Sequence, residues 1–136
     1  MFGSFQQSTL RIEVDASTET LKRCLTQSDE LVQWLRFQRF PIDLPPTLEA
    51  NSTFLSLAGG LLPVRHTVQC VENHRLCLLL SQGIDGFHEW AWGEGWVQSR
   101  IEGVSLLPID LGQTLSLLCL KQHLKKFESI RRPHDS

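Results

Sequence analysis

Apolar and polar side chains alternate from Thr9 to Val14, with Leu10, Ile12 and Val14 on one count and Thr9, Arg11 and Glu13 on the other. A period of two is that of a half-buried strand, so a first strand is predicted here. After Ser17 the period lengthens. Leu21, Cys24 and Leu25 share a helical face, Ser17 can cap that helix, and Glu19 lies in its first turn, where the dipole favours negative charge. Ser28 is placed to cap a second helix, with Asp29 and Glu30 in its first turn and Leu31, Val32, Trp34 and Leu35 on its buried side.

From Arg36 to Glu49, Pro41, Pro45 and Pro46 exclude a regular helix and predict an extended connection with room for a short edge strand. A long β region follows. Strands are predicted near Ser52–Leu57, Leu62–Glu72, Arg75–Gln82, Gly86–Trp92 and Trp96–Leu107, parted by Gly59-Gly60, Asn73-His74, Gly83 with Asp85-Gly86, and Gly93-Glu94-Gly95. Such short turns imply antiparallel meanders. Pro108 stops the last strand, and Asp110 can cap a helix through Leu111, Leu115, Leu118, Leu120, Leu124 and Phe127. Its first half is apolar nearly all round, which predicts an enclosed segment, while Lys121, Lys125 and Lys126 return the second half to solvent. Strand, two short helices, antiparallel strands and one long helix define an α+β fold.

Length and composition narrow the classes. The 136 residues are 41% apolar and 21% charged with a formal net charge of −2, which fits one globular domain over 1–136, with its core at about 5–127 and a frayed tail at 128–136. A domain of this size buries roughly 68% of its unfolded surface, enough for a core without disulfide staples. Near-neutral charge excludes a dedicated nucleic-acid surface. Met1–Gln7 shows no basic segment leading into an apolar run, and no run nears the ~18 residues of a spanning helix, so the expectation is a cytoplasmic protein with no integral membrane association. Cys24, Cys70, Cys77 and Cys119 lack zinc-type spacing, so buried thiols are expected. A two-residue turn at Asn73-His74 would set Cys70 directly opposite Cys77, within reach of a cross-strand bond.

The chain resembles the helix-grip proteins of the START-related, or SRPBCC, superfamily, which includes polyketide cyclase-like and coenzyme Q-binding proteins. The likeness rests on Leu10-Arg11-Ile12-Glu13-Val14-Asp15-Ala16-Ser17 before the first helix, on Leu31–Leu35 with Trp34 closing the helix pair, on the strand pair Val64–Leu80, and on the terminal helix. The resemblance implies a curved sheet of about six to seven strands gripping the last helix, with a cavity for an apolar small molecule or lipid between them.

The chemistry-bearing residues are few. His88, Trp90 and Trp92 share one strand face, as a ligand wall or as plain core. Whether Trp96, Gln98 and Arg100 join them depends on the turn. A three-residue loop at Gly93–Gly95 puts both sets on one face; a two-residue loop at Glu94-Gly95 substitutes Val97, Ser99 and Ile101 and sets Glu89 against Arg100 on the outer face. Val64, His66, Val68 and Cys70 also share a face, which points His66 toward His88 and gives it a cysteine neighbour. No metal is expected, because His88-Glu89 lacks a second His and Glu89 faces away from His88. No cofactor is expected, and no Gly-x-Ser-x-Gly elbow is present. Asp43 and the other carboxylates show no acid/base spacing. The leading expectation is an apolar or aromatic small-molecule ligand lined by Trp34, His66, His88, Trp90, Trp92 and Leu115. In that reading Trp90→Ala weakens binding with little loss of folding. Two alternatives stand beside it: a cyclase- or dehydratase-like enzyme using a pocket His as acid/base, and an interaction module in which Trp96 and the basic end Lys121, Lys125, Lys126, Arg131 and Arg132 meet a partner.

Overall fold

The computed structural model describes residues 3–42 and 44–131, with side chains as far as Phe127. Asp43 and Arg132 lie outside the described residues. Strand β1 (Ser4–Glu13) is followed by helices α1 (Thr18–Thr26) and α2 (Ser28–Trp34). The two-residue β2 (Gln38–Arg39) precedes β3 (Thr53–Ala58), β4 (Leu62–Val71), β5 (Arg75–Gln82), β6 (Ile84–Gly93) and β7 (Trp96–Ser105), and α3 (Ile109–Arg131) ends the order. The seven strands form one antiparallel sheet in the order β1-β7-β6-β5-β4-β3-β2, curled over α3 as in a helix grip.

β1 begins five residues before the apolar alternation because its first half is held by its partner strand. Ser4 stands opposite Ser105 and Gln6 opposite Gly103. Gln6 also ties the strand to α3: its Oε1 accepts from the Ile109 N–H at 3.0 Å and its Nε2 donates to the Leu107 carbonyl at 3.0 Å. The cap of α3 therefore comes from a residue over a hundred positions earlier. Asp110 sits in the first turn and accepts from the adjacent Leu111 N–H at 2.9 Å.

Ser17 caps α1 as expected, accepting from the Thr20 N–H at 3.2 Å. Ser28 does not cap α2. Gln27 holds that position, and the Ser28 hydroxyl, already inside the helix, donates to the Pro46 carbonyl at 3.0 Å. The β6–β7 turn is the two-residue form at Glu94-Gly95, with Gly95 at φ +80°, so Gly93 pairs with Trp96 and Trp92 with Val97. Trp96, Gln98 and Arg100 consequently lie on the outer face. Arg11 stacks over Trp96 at 4.1 Å and donates to Gln98 at 3.1 Å. Glu89 does stand opposite Arg100, but it pairs with Arg75 at 2.8 Å, while Arg100 pairs with Glu102 at 3.0 Å.

Two further expectations are corrected. The β4–β5 ladder slips between Val68 and Cys70, so Gln69 is an extra residue. The slip moves Val71 onto the core and Cys70 to the outer face, away from His66, where it stands opposite Cys77 as a free thiol. The first half of α3 is also not enclosed. Ile109, Gln113, Leu117, Leu120 and Leu124 supply its buried stripe, whereas Leu111 and Leu118 are 58% and 57% exposed. A helix resting on a curled sheet buries one stripe, and the sequence filled the opposite stripe with leucine as well.

Candidate functional site

The inner face of the sheet is apolar except along one polar line. Val64, Val68, Leu76, Leu78, Leu80, Trp90, Trp92, Val97 and Ile101 are buried there, and among them stand His66, His88, Ser56 and Ser99. Period-two alternation aims each of these side chains inward, and the two-residue turn brings Ser99 across from Trp90.

His66 on β4 meets the Ser56 hydroxyl of β3 through Nε2 at 2.9 Å. Phe54 lies flat on its ring, with centroids 4.4 Å apart and planes 7° apart. Its Nδ1 is buried and finds no hydrogen-bond partner among the described residues. His88 on β6 meets the Ser99 hydroxyl through Nε2 at 2.7 Å and packs against Trp90 at 4.7 Å. The chain of contacts continues into α3. Gln113 Nε2 donates to Ser99 Oγ at 3.0 Å, to the Ser99 carbonyl at 2.8 Å and to the Ser8 carbonyl at 3.2 Å, while the Ser8 hydroxyl donates to Gln113 Oε1 at 2.6 Å. His88 Nε2 and Ser99 Oγ share a single hydrogen, and the imidazole tautomer decides which of the two donates it.

Burial holds both imidazoles neutral. Desolvation lowers His66 to about 4; it lowers His88 to about 3, with the His66 charge acting in the same direction. His66 on β4 and His88 on β6 lie on one face of the sheet with β5 between them. At neutral pH each offers one donor and one acceptor nitrogen and carries no excess proton.

Of the six lining candidates, His66, His88, Trp90 and Trp92 share this inner face. Trp34 and Trp92 are packed within the core. Trp34 meets Trp90 edge-on at 6.0 Å and donates its Nε1–H to the Cys24 carbonyl at 2.8 Å, while Trp92 is fully buried and its Nε1 finds no partner among the described residues. Leu115 stands four residues after Leu111 and three before Leu118, on the face of α3 turned away from Leu117 and Leu120. Two open clefts, of about 430 Å³ and 590 Å³, lie elsewhere. One runs between Glu13–Asp15 and Lys121, Leu124 and Lys125, the other along α1 and the start of α2, and neither is lined by any of the six. Sequence reasoning missed Ser56, Gln113 and Phe54. Ser99 followed from one of the two turn registers, but no local signal marked Gln113 as its partner.

No protein-family model matches the chain, and no curated protein matches it. Solved structures do match in fold. A protein from Chromobacterium violaceum is similar at 18% identity and a TM-score of 0.66, over 85% of this chain and 94% of that one. The Aha1 dimer from Colwellia psychrerythraea is similar at 19% identity and a TM-score of 0.61, over 88% and 96%. Major latex-like protein 151 from Panax ginseng is similar at only 5% identity, yet with a TM-score of 0.66 over 92% and 98%. The fold is thus of the helix-grip kind, shared with solved structures that include an Aha1 protein and a major latex-like protein. Among the described residues no helix is long and apolar enough to cross a membrane.

Proposed function

We propose that the protein holds a small apolar or aromatic molecule against the inner face of its sheet, beneath α3. The observation that carries this reading is His66 Nδ1, a buried polar atom on an apolar wall with no partner among the described residues. A buried nitrogen left unpaired costs about 1–3 kcal/mol, which a guest with one polar group would offset. Apolar burial supplies the affinity and the neutral imidazoles supply orientation. Phe54 stacked on His66 occupies the space the guest would take, so binding turns this ring aside.

The test is native mass spectrometry of the purified protein, followed by fluorescence titration with 8-anilino-1-naphthalenesulfonate. Stoichiometric uptake is expected, strengthened in Phe54→Ala and weakened up to ~10-fold in His66→Ala, the worth of one hydrogen bond. No co-purified molecule together with no uptake by Phe54→Ala overturns the reading.

A second reading is favoured by one observation. Leu106, Leu107, Leu111 and Leu118 are exposed together at the start of α3 and on its outward face. One structural neighbour is described as a dimer, and this leucine face suits a second copy of the chain. Sedimentation equilibrium of the parent and Leu111→Ser/Leu118→Ser proteins decides: a dimer that dissociates in the variant supports it, and a parent that is monomeric at high concentration removes it.

A further inference from the structure

Where the three helices meet, each contributes one side chain to a single buried spot. Cys24 comes from α1, Glu30 from α2 and His123 from α3, and one potential ligand atom from each lies within 4.8 Å of the other two. Cys24 is inaccessible, His123 is 2% exposed and Glu30 is 6% exposed. This spot lies apart from the His66–His88 face and uses none of its residues.

A carboxylate in the interior is costly unless it is compensated. His123 Nε2 meets Glu30 Oε2 at 3.1 Å and supplies part of that compensation. Two features remain unexplained by a simple Glu–His link. His123 Nδ1 is buried and finds no partner among the described residues, and a thiol sits beside the pair. Burial, and then the Glu30 charge, push Cys24 up to about 12, with Arg23 and Lys126 acting the other way.

We propose that Cys24, Glu30 and His123 form a binding site for a divalent cation of the Zn²⁺ class. Sulfur, imidazole nitrogen and carboxylate oxygen together are the donor set that such a borderline-soft ion prefers, and hard Mg²⁺ or Ca²⁺ would select oxygen alone. Charge balances as well: one thiolate and one carboxylate neutralise a doubly charged ion in a place where net charge is expensive. On binding, the Cys24 S–H bond breaks, its proton leaves to solvent and the metal–sulfur bond forms, with no change of oxidation state. Ligand atoms around a tetrahedral ion at ~2.0–2.3 Å lie roughly 3.5 Å apart, so the trio must draw in by about 1 Å at its widest. Three protein ligands leave a fourth position for water or a small anion. The ion would pin α3 to the α1–α2 pair, joining residues 93 positions apart in the sequence.

The full chain is stripped with chelator and titrated with Co²⁺ and with Zn²⁺ against a chromophoric competitor. The parent is expected to bind one ion, and Co²⁺ to produce a thiolate-to-cobalt absorption band. Cys24→Ala and Glu30→Gln should each weaken binding by about 100-fold or more; Glu30→Gln still offers an oxygen to His123, so circular dichroism should show it folded. Cys70→Ser/Cys77→Ser removes the outer-face thiol pair and should leave binding unchanged. Absence of uptake by the parent, or uptake lost in the Cys70/Cys77 variant and kept in Cys24→Ala, overturns the site and leaves the trio as a tether between helices.

Discussion

His66 and His88 make the inner face sensitive to acid. Their folded values, about 4 and about 3, lie below the ordinary imidazole value of 6.5, so between those limits the unfolded chain binds more protons than the folded one. The stability they permit is complete above pH 6.5 and is lost progressively as pH falls to about 4 for His66 and to about 3 for His88. The urea midpoint should drop across that window, and a His66→Asn/His88→Asn variant should show a flatter profile; equal slopes would mean that the imidazoles do not face a desolvated interior. Trp90 tells a different story from the one its strand suggests. The alternation of His88, Trp90 and Trp92 puts the three on one strand face, but alternation cannot tell a wall from a core. At 5% exposure and edge-on to Trp34, Trp90 belongs to the core, and Trp90→Ala should cost ~3–5 kcal/mol in chemical denaturation. What the sequence concealed at this scale were partners. Gln113 reads as one polar residue on a helix, and His123 as one of several scattered histidines; their meetings with Ser8, Ser99 and Glu30 depend on how distant elements dock.

At the scale of the element, the strands were legible because turn residues and period-two alternation agree. The exceptions have local causes: the extra Gln69 that turns Cys70 outward, and the polar first half of β1, which is a strand only because β7 lies beside it. β6 and β7 approach closely where Gly86 faces Gly103. A Cβ added at Gly86 would run into the Glu102 carbonyl oxygen and Gly103 Cα, and backbone cannot yield as a flexible side chain can. Gly86→Ala should therefore destabilise the fold by about 1–3 kcal/mol or more, read as a lowered Tm with a largely retained circular dichroism spectrum. Helix α3 offers the opposite lesson. Its leucines look alike in the sequence, yet Leu117→Ala should cost ~2–5 kcal/mol and Leu118→Ser no more than ~0.5 kcal/mol, because one is buried and its neighbour is in water. Equal losses would show that the outward stripe is covered in solution.

Across the whole molecule, the order of elements was enough to identify the helix grip, since antiparallel meanders with short turns leave few ways to arrange five consecutive strands. Order alone did not reveal how tightly the inner face is filled, or that α1, α2 and α3 converge on one buried carboxylate. The sheet order carries a further consequence in time. β1 is the first strand made and β7 the last, yet the two are neighbours. At roughly 5–20 residues per second on the ribosome, β1 waits on the order of ten seconds for its partner, while β2 to β6 can zip up hairpin by hairpin. Until β7 arrives, both β1 and the β6 edge present unpaired backbone, the kind of surface on which nascent chains capture one another. A chain ending at Trp92 should accordingly be found in aggregates or with chaperones, and slowing translation within the β7 codons should lower the soluble yield more than slowing it within those for α3.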